Sequence, residues 1–301
     1  PGGKIMNQQQ LERMHSDLGF IAALDQSGGS TPKALLAYGL DQTAYANDEE
    51  MFDCVHQMRT RIIKTPSFNK DGILAAILFE NTMDRMIDGK YTADYLWQEK
   101  GIVPILKIDK GLAEEKNHVK LMKPIPNLAE TLKHAVEDRH IFGTKERSVI
   151  YDYDEQGIRD VIAQQFDIAL QVWHAGAVAI IEPEVDIHNP HKAESEAFML
   201  EVIKEHLAKL DSDVKVMFKL TIPTVNNLYA DLMKDPHVVR VVALSGGYSQ
   251  DEACHLLSLN HGMIASFSRA FAQDLRYQQT DEEFDATVKA AIAKIYAASI
   301  A

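Results

Sequence analysis

The chain has 301 residues, of which 46% are hydrophobic and 25% are charged, so it is long enough to bury the core of one α/β barrel domain. Its formal net charge of −13 argues against binding to nucleic acid or an anionic membrane surface, so any anionic ligand needs a local cluster of basic residues. The two cysteines, Cys54 and Cys254, lie far apart in no metal-binding spacing, which argues against a disulfide framework or a zinc ribbon and favours a reducing cytoplasm.

The beginning of the chain shows no targeting segment. The five residues PGGKI before Met6 are interpreted as residues left by an expression vector, and the stretch after Met6 lacks the apolar segment of a signal peptide. No apolar run reaches the length that spans a membrane. Because no linker or low-complexity stretch divides the chain, we expect residues 6–301 to form a single domain.

Eight short apolar runs alternate with segments of helical periodicity along the chain. A short helix from Met6 to about Asp17 is predicted before the first run, and a last helix is predicted from about Asp281. The runs, each predicted to be a buried parallel strand, are Phe20–Asp25, Ile73–Glu80, Ile102–Asp109, Phe142–Ile150, Ala177–Glu184, Val214–Leu220, Val238–Gly247 and Met263–Ala270. Eight alternations of strand and helix favour a closed TIM (β/α)8 barrel, an α/β fold, over an open doubly wound sheet.

Polar groups stand at the C-terminal ends of these runs, and in a barrel those ends meet on one face. They are Asp25, Glu80, Lys107, Lys145 with Arg147, Glu182 with Glu184, Lys219, Ser245 with Gly246, and Ser268 with Arg269. The plain alternative is that charge simply returns where burial stops. For the whole set this alternative is weaker, because unpaired charge within an apolar run is costly, and cations paired with carboxylates in one pocket would remove that cost.

Lys219 is the best candidate nucleophile. It closes the apolar run that begins at Val214, and desolvation there lowers the pKa of a lysine, so that neutral amine becomes available near pH 7. A neutral amine can attack a ketone and form a Schiff base. The alternative is a lysine whose stem is buried and whose ammonium group reaches solvent.

Two loops with paired glycines are predicted to bind phosphate. One follows the seventh run and precedes a helix, so that its backbone N–H groups can converge on an anion, and barrels often bind phosphate after strands seven and eight. The other follows the first run. The predicted phosphate-binding residues after runs seven and eight are Ser245, Gly246, Gly247, Ser268 and Arg269. Those after the first run are Ser27, Ser30 and Lys33. A glycine pair alone commonly marks only a turn, but two such loops on one rim suggest a substrate with a phosphate at each end.

These segments resemble class I fructose-bisphosphate aldolase, and most of all its shorter bacterial branch, over essentially the whole chain from Met6. The segments that carry the resemblance are, in this order, IAALDQSGGST, ILFENTMDR, LKIDKG, IFGTKERS, IIEPEVDI, FKLTIPT, VVALSGGYS and IASFSRA. The family is a TIM barrel that reversibly cleaves fructose 1,6-bisphosphate to dihydroxyacetone phosphate and glyceraldehyde 3-phosphate. The resemblance implies that the reaction needs no metal or other cofactor.

The resemblance implies roles for five residues inside the predicted pocket. Lys219 would form the Schiff base with the C2 ketone, and the iminium would take up the electrons released when the C3–C4 bond breaks. Glu182 would be the principal general acid and base, with Glu184 as a like charge beside it. Asp25 would orient or deprotonate the C4 hydroxyl. Lys145 would stabilise developing negative charge and keep the pKa of Lys219 low.

The remaining polar residues would line the pocket and hold the two phosphates. The resemblance assigns the C1 phosphate to Ser245, Gly246, Ser268 and Arg269, the neighbourhood of the C6 phosphate to Ser27, Ser30 and Lys33, and the rest of the cationic lining to Lys107 and Arg147. Two of the departures of this chain from the long-chain aldolases concern the binding of phosphate. Ser268 stands where those enzymes have a glycine before the arginine, and Ala34 stands where they have an arginine after the lysine.

Several alternatives stay open at this point. His188 and His191 have a spacing that could ligate the metal of a metal-dependent lyase, but they fall in a polar loop without a third histidine and are interpreted as a surface pair. The protein could instead be a noncatalytic phosphosugar-binding protein, or an imine-forming aldolase of a related phosphorylated ketose. The sequence also leaves open whether the chain assembles into a homo-oligomer.

Overall fold

The computed structural model describes residues 7–27 and 30–301, so Met6 and the predicted addition of residues 1–5 lie outside the described residues. Eight parallel strands pair side by side in this part of the chain, and the eighth pairs back with the first, which closes the ring. The strands are β1 (Phe20–Ala23), β2 (Ile73–Leu78), β3 (Val103–Lys107), β4 (Gly143–Ile150), β5 (Val178–Val185), β6 (Val216–Thr221), β7 (Val238–Leu244) and β8 (Ile264–Phe267). The predicted TIM (β/α)8 barrel is confirmed, and each strand agrees with its predicted run to within three residues at either end.

Helices connect most of the strands outside the ring, while the first helix precedes β1 and the last two follow β8. They are α1 (Gln8–Ser16), α2 (Thr31–Tyr38), α3 (Asp48–Lys64), α4 (Glu80–Met83), α5 (Thr92–Asp94), α6 (Leu128–Lys133), α7 (Glu155–His174), α8 (Lys192–Leu207), α9 (Gln250–Ser258), α10 (Arg269–Ala272) and α11 (Asp281–Ser299). A π-helical turn extends α5 and another extends α6, and two short strands, Met86–Ile87 and Lys90–Tyr91, form a hairpin after β2. None of the described helices is both long and apolar enough to cross a membrane.

The regular alternation of strand and helix breaks after β6. The chain returns from β6 to β7 through a loop whose helical part is the 3₁₀ turn Leu232–Lys234, so the predicted alternation of strand and helix is not followed between these two strands. Pro223 follows the strand closely, and Asn227 has a φ of 64°, in the left-handed region that a right-handed helix excludes. Prolines near both ends of this connection, Pro223 and Pro236, and the left-handed Asn227 between them interrupt a regular helix.

The interior of the barrel changes from apolar to charged along the strands. Because side chains alternate along a strand, every second residue faces the interior. On β5, Ile180 is fully buried in the interior apolar cluster, and the next inward residues, Glu182 and Glu184, line a cavity. Strands β3 and β6 have the same order, with apolar residues below Lys107 and Lys219. The apolar layers therefore form the floor of a charged layer at the C-terminal ends, where barrels place their sites.

Helix α1 covers the opposite, N-terminal end of the barrel. Its Met14 is fully buried in the interior apolar cluster, and the side chain of Asn7 caps its first turn. Arg240 on β7 donates hydrogen bonds to the carbonyl oxygens of Met14, His15 and Asp17, which the end of a helix leaves without partners. At the other end of the chain, α11 packs outside the ring against α9 and β8, as predicted.

Candidate active site

A cavity of about 800 Å³ opens at the C-terminal ends of the strands. Fourteen of the fifteen predicted site residues line it, namely Asp25, Ser27, Ser30, Lys33, Lys107, Lys145, Arg147, Glu182, Glu184, Lys219, Ser245, Gly246, Ser268 and Arg269. Gly247 lies beside this lining, because a Cβ atom placed on it would be 4.0 Å from Nη2 of Arg269. Glu80, which also ends a predicted run, begins α4 instead and pairs with Lys110 at 2.9 Å.

Two lysines and two carboxylates form the centre of the cavity, and all four residues are less than 10% exposed. Nζ of Lys145 lies 2.8 Å from Oδ2 of Asp25 and 3.2 Å from Oε1 of Glu182. Nζ of Lys219 lies 3.9 Å from Oε2 of the same Glu182. We call these four residues the central cluster. The pairing that the sequence predicts for buried charges is present here, and it offsets part of their desolvation cost.

The central cluster sets the two lysines apart by their pKa values. Burial lowers the pKa of Lys219, and the ammonium of Lys145 lowers it further, against the opposing effect of Glu182. Burial alone would also lower the pKa of Lys145, but Asp25 and Glu182 raise it above the ordinary value. Burial works against the ionisation of Asp25 as well, yet Lys145 and Lys219 lower its pKa to about 2. Lys145 therefore stays charged, and Lys219 is the lysine that can become a neutral amine.

Two further ion pairs line the wall between β3 and β5. Nε and Nη2 of Arg147 donate to the two carboxylate oxygens of Glu184, each at 3.2 Å. Burial opposes this charge, but Glu184 raises the pKa of Arg147. Nζ of Lys107 lies 3.2 Å from Oδ1 of Asp109 and donates to Oγ of Ser27 at 3.1 Å. The cationic lining is thus held in place by carboxylates of neighbouring strand ends.

The loop after β7 has the backbone geometry of an anion site. Gly246 and Gly247 have φ values of 62° and 105°, which residues with side chains rarely adopt. A Cβ atom on Gly246 would meet Cγ2 of Ile187 at 2.8 Å, so the position requires glycine. The loop leads into α9, and Arg269 at the end of β8 lies beside it. Within the described residues, no carboxylate lies within ion-pair distance of Arg269, so its charge is available to an anionic ligand.

The loop after β1 is held by hydroxyl groups at the rim of the cavity. Oγ of Ser30 donates to the carbonyl oxygen of Ser27 at 2.8 Å and accepts from the backbone N–H of Ser27 at 3.2 Å. Lys33 lies on the first turn of α2 and is exposed to solvent. The two glycines of this loop, residues 28 and 29, lie outside the described residues. The loop therefore places two hydroxyls and an exposed cation on one side of the mouth.

Several cavity residues were missed by the sequence reasoning. Asp109 ends its predicted run and could have been included on that ground, and Gln26 directly follows Asp25. Ser266 on β8 is 1% exposed, and its hydroxyl has no partner among the described residues. Arg59 comes from the middle of α3, where no sequence signal separates a buried arginine from the exposed residues of a helix.

The histidine pair lies away from this cavity, as the sequence reasoning predicted. Nδ1 of His191 pairs with Asp152 at 2.8 Å, and both side chains reach solvent. Across residues 7–27 and 30–301, no group of three or more His, Cys, Asp or Glu residues has the arrangement of a metal site.

Comparison with known proteins finds relatives in sequence and in structure. No family model matches the chain. A curated relative from Clostridium acetobutylicum, described as "Fructose-bisphosphate aldolase class 1", is 61% identical over 295 residues, which are 98% of this chain and 100% of the relative. A solved structure of fructose-bisphosphate aldolase from Plasmodium falciparum, in complex with TRAP and a small-molecule inhibitor, matches with a TM-score of 0.75 over 97% of this chain and 93% of that chain, at 19% identity. The second match supports the fold alone, whereas the first spans both proteins at high identity.

Proposed function

The chain belongs to the family of class I fructose-bisphosphate aldolases, and we propose that it reversibly cleaves fructose 1,6-bisphosphate to dihydroxyacetone phosphate and glyceraldehyde 3-phosphate through a Schiff base on Lys219. The observation that supports this mechanism is the central cluster. It buries Lys219 next to Glu182 and beside a second lysine that stays charged. That arrangement favours a neutral amine at Lys219, which is the form that attacks a carbonyl.

Imine formation uses Lys219 and Glu182. The amine adds to the C2 ketone and gives a carbinolamine, whose hydroxyl leaves as water once it receives a proton. The carboxyl group of Glu182, 3.9 Å from Nζ of Lys219, is placed to carry that proton. The product is a protonated imine at C2, and its positive charge is the electron sink for the next step.

Bond cleavage uses the iminium and the carboxylates around Lys145. The C4 hydroxyl loses its proton, the C3–C4 bond breaks, and its electron pair moves into the iminium to give an enamine while glyceraldehyde 3-phosphate leaves. A carboxylate with a pKa of about 2, such as Asp25, is a weak base, so we assign Asp25 to orienting the C4 hydroxyl. Glu182 shares Lys145 with Asp25 and takes part in the proton transfer. Protonation at C3 and hydrolysis then release dihydroxyacetone phosphate and restore Lys219.

Substrate binding follows from the charge of the cavity. Its lining carries seven Lys or Arg residues against four Asp or Glu residues, although the whole chain has a net charge of −13. We assign the C1 phosphate to the loop of Ser245 and Gly246 with Ser268 and Arg269, and the C6 phosphate to Ser27, Ser30, Lys33 and Lys107. A local excess of positive charge attracts a doubly phosphorylated ketose even in an acidic protein.

The two cysteines bear on the cellular compartment of the protein. We propose that the protein acts in the cytoplasm, because both Cys54 and Cys254 are free thiols, which a reducing compartment maintains. We also propose that residues 6–301 form one domain. Assembly into a homo-oligomer stays open.

The proposed function is tested by measuring the release of dihydroxyacetone phosphate from fructose 1,6-bisphosphate with excess EDTA present. We expect full activity of the native protein in EDTA and none in Lys219→Met. Loss of the native activity on adding EDTA would instead identify a metal-dependent lyase. Binding of the bisphosphate without any turnover would identify a noncatalytic phosphosugar-binding protein.

A further inference from the structure

Arg59 is a buried cation to which the proposed reaction gives no role. It lies on α3, is 1% exposed and lines the cavity. Its Nη2 donates to the carbonyl oxygen of Gln26 at 2.6 Å and to Oε1 of Gln26 at 3.2 Å, and its Nη1 donates to Oγ1 of Thr82 at 3.3 Å. Its guanidinium carbon lies 4.7 Å from the ring centre of Phe79, and its Nε has no partner among the described residues.

The charge of Arg59 has no counterion within ion-pair distance in the described part of the chain. Each carboxylate of the cavity pairs with a cation other than Arg59, and the hydrogen bonds of Arg59 go to neutral oxygen atoms. Burial lowers the pKa of Arg59 to about 9, while Asp25 opposes that change. The guanidinium is therefore charged at neutral pH. Neutral oxygen atoms and the ring of Phe79 offset only part of the cost of burying a cation, so the charge is left to attract an anion that enters the cavity.

Arg59 also connects the two loops that are assigned to phosphate. It holds both the main chain and the side chain of Gln26, which lies between Asp25 and Ser27 in the loop after β1. The amide nitrogen of Gln26 in turn donates to Oγ of Ser268, in the loop after β8. Because Arg59 occupies the amide oxygen, it fixes the orientation in which the amide nitrogen points to Ser268.

The charge that the loop after β1 can offer to a phosphate is otherwise small. Lys33 is exposed, and its charge is screened by water and salt. Lys107 is already paired with Asp109. Position 34, which lines the cavity, is an alanine and carries no charge. A buried guanidinium directly behind the loop acts through a medium of low dielectric constant, where its attraction for an anion is stronger.

We propose that Arg59 is a specificity-determining residue that selects ketoses with a second phosphate, at C6, and positions the loop after β1 to receive it. This inference rests on the proposed function and names a residue that acts on its substrate choice. Arg59 supplies the buried charge for the distal phosphate, and through Gln26 it holds the adjacent Ser27, whose hydroxyl accepts from Lys107 and can donate its own proton to that phosphate. A substrate with the C1 phosphate alone does not use the charge of Arg59 and depends on this residue only through the contact of Gln26 with Ser268.

The test compares kcat/KM for fructose 1,6-bisphosphate and for fructose 1-phosphate in the native protein, Arg59→Met and Arg59→Lys. We expect Arg59→Met to lower the value for the bisphosphate by about 30-fold or more, the effect of losing a charged hydrogen-bonding partner. The value for the monophosphate should change by about threefold or less. Arg59→Lys should recover part of the loss, because it keeps the charge without the fork that holds Gln26.

Arg61→Met is the matched control on the same helix. Arg61 donates to the carbonyl oxygens of Tyr277 and Gln279 and to the hydroxyl of Tyr38, and it is not among the residues that line the cavity. Its loss should lower stability but leave the ratio of the two kcat/KM values unchanged. If the ratio of the two kcat/KM values is unchanged in Arg59→Met and Arg59→Lys, the proposal is overturned and Arg59 is only a structural contact.

A third measurement separates this proposal from the proposed function. Dihydroxyacetone phosphate has one phosphate, so borohydride should still trap it on Lys219 in the Arg59 variants. If the native protein itself gives no such adduct, the proposed function fails. If the adduct forms but the substrate ratio does not move, the inference about Arg59 alone fails. Should Arg59→Met not fold, Arg59→Lys still tests the proposal, because losing the fork that holds Gln26 should lower kcat/KM for the bisphosphate more than for the monophosphate.

Discussion

The ends of β4 and β6 each bury a lysine, and the two differ in a way that decides their chemistry. The side chains of Lys145 and Lys219 are each 5% exposed, so burial acts on both alike. Lys145 has carboxylate oxygens at 2.8 and 3.2 Å, whereas the carboxylate next to Lys219 is 3.9 Å away and already paired with Lys145. Burial makes an amine reactive only where carboxylates do not fully compensate its charge.

The largest expected effect comes from removing the reactive lysine. Lys219→Met should lower kcat by about 10⁴-fold or more, because Lys145 is held charged by two carboxylates and no further lysine among the described residues pairs with Glu182. Lys145→Met should also lower kcat but should still form an imine, since Lys219 is retained. Steady-state cleavage together with borohydride trapping measures both. Equal trapping in Lys219→Met and the native protein would contradict the distinction.

The second effect is on stability, where Lys145→Met is expected to cost more than Lys219→Met. Lys145→Met leaves Asp25 and Glu182 buried without their shared cation, so the free energy of unfolding should fall by about 3 to 5 kcal/mol. Lys219→Met removes a poorly compensated buried charge, so the free energy of unfolding should fall by about 1 kcal/mol at most, or should rise. Denaturant unfolding of both variants gives the comparison. A larger loss for Lys219→Met would contradict the conclusion that carboxylates compensate the charge of Lys145 better than that of Lys219.

A third effect is expected on the outer face of β4, directly next to Lys145. Glu146 is fully buried, accepts a hydrogen bond from Oγ1 of Thr144 and has no cation within ion-pair distance among the described residues. Burial raises its pKa from 4.5 to about 8. Between these values the folded protein keeps a proton that the unfolded chain has released, so the free energy of unfolding falls as pH rises to about 8.

Glu146→Gln should remove this pH dependence. Between pH 6 and pH 9 the native protein should lose about 3 kcal/mol more than the variant, since the pKa of Glu146 lies two pH units above the lower limit. Denaturant unfolding at several pH values measures the difference. Parallel stability curves of the two proteins would mean that Glu146 is ionised in the folded state.

The smallest effect is expected at the rim of the cavity. Lys33→Met removes an exposed charge, so KM for fructose 1,6-bisphosphate should rise by about three- to tenfold at low salt, with little change in kcat. The rise should shrink as ionic strength increases, because salt screens an exposed charge. A large rise in KM that does not depend on salt would mean that Lys33 contacts the phosphate in a site shielded from solvent.

The barrel and most of the site could be predicted from the sequence because both depend on the same pattern. Apolar runs locate the strands, and polar residues at their ends meet wherever parallel strands close into a ring. The alternation that aims Lys219 inward also aims Glu182 and Lys145 inward. Glu80 shows the limit of this reasoning, since its strand has already ended and the residue begins a helix with its side chain towards Lys110.

The remaining features depend on contacts between distant segments. Arg59 and Arg61 lie two residues apart on α3, yet one is buried behind the loop after β1 and the other lies against α11. Helical periodicity does not indicate which charged residue meets a cavity formed by other elements. The distances within the central cluster are likewise set by strand register, which the sequence alone does not give.

Borohydride reduction with dihydroxyacetone phosphate and EDTA, followed by peptide mass mapping, tests the comparison of the two lysines most directly. The expected result is a stable adduct on the peptide that carries Lys219, formed without metal, with none on the peptide that carries Lys145. The same treatment of Lys219→Met should give no adduct. An adduct on Lys145, or no adduct in a native protein whose cleavage activity EDTA abolishes, would contradict the assignment of Lys219 as the imine-forming residue.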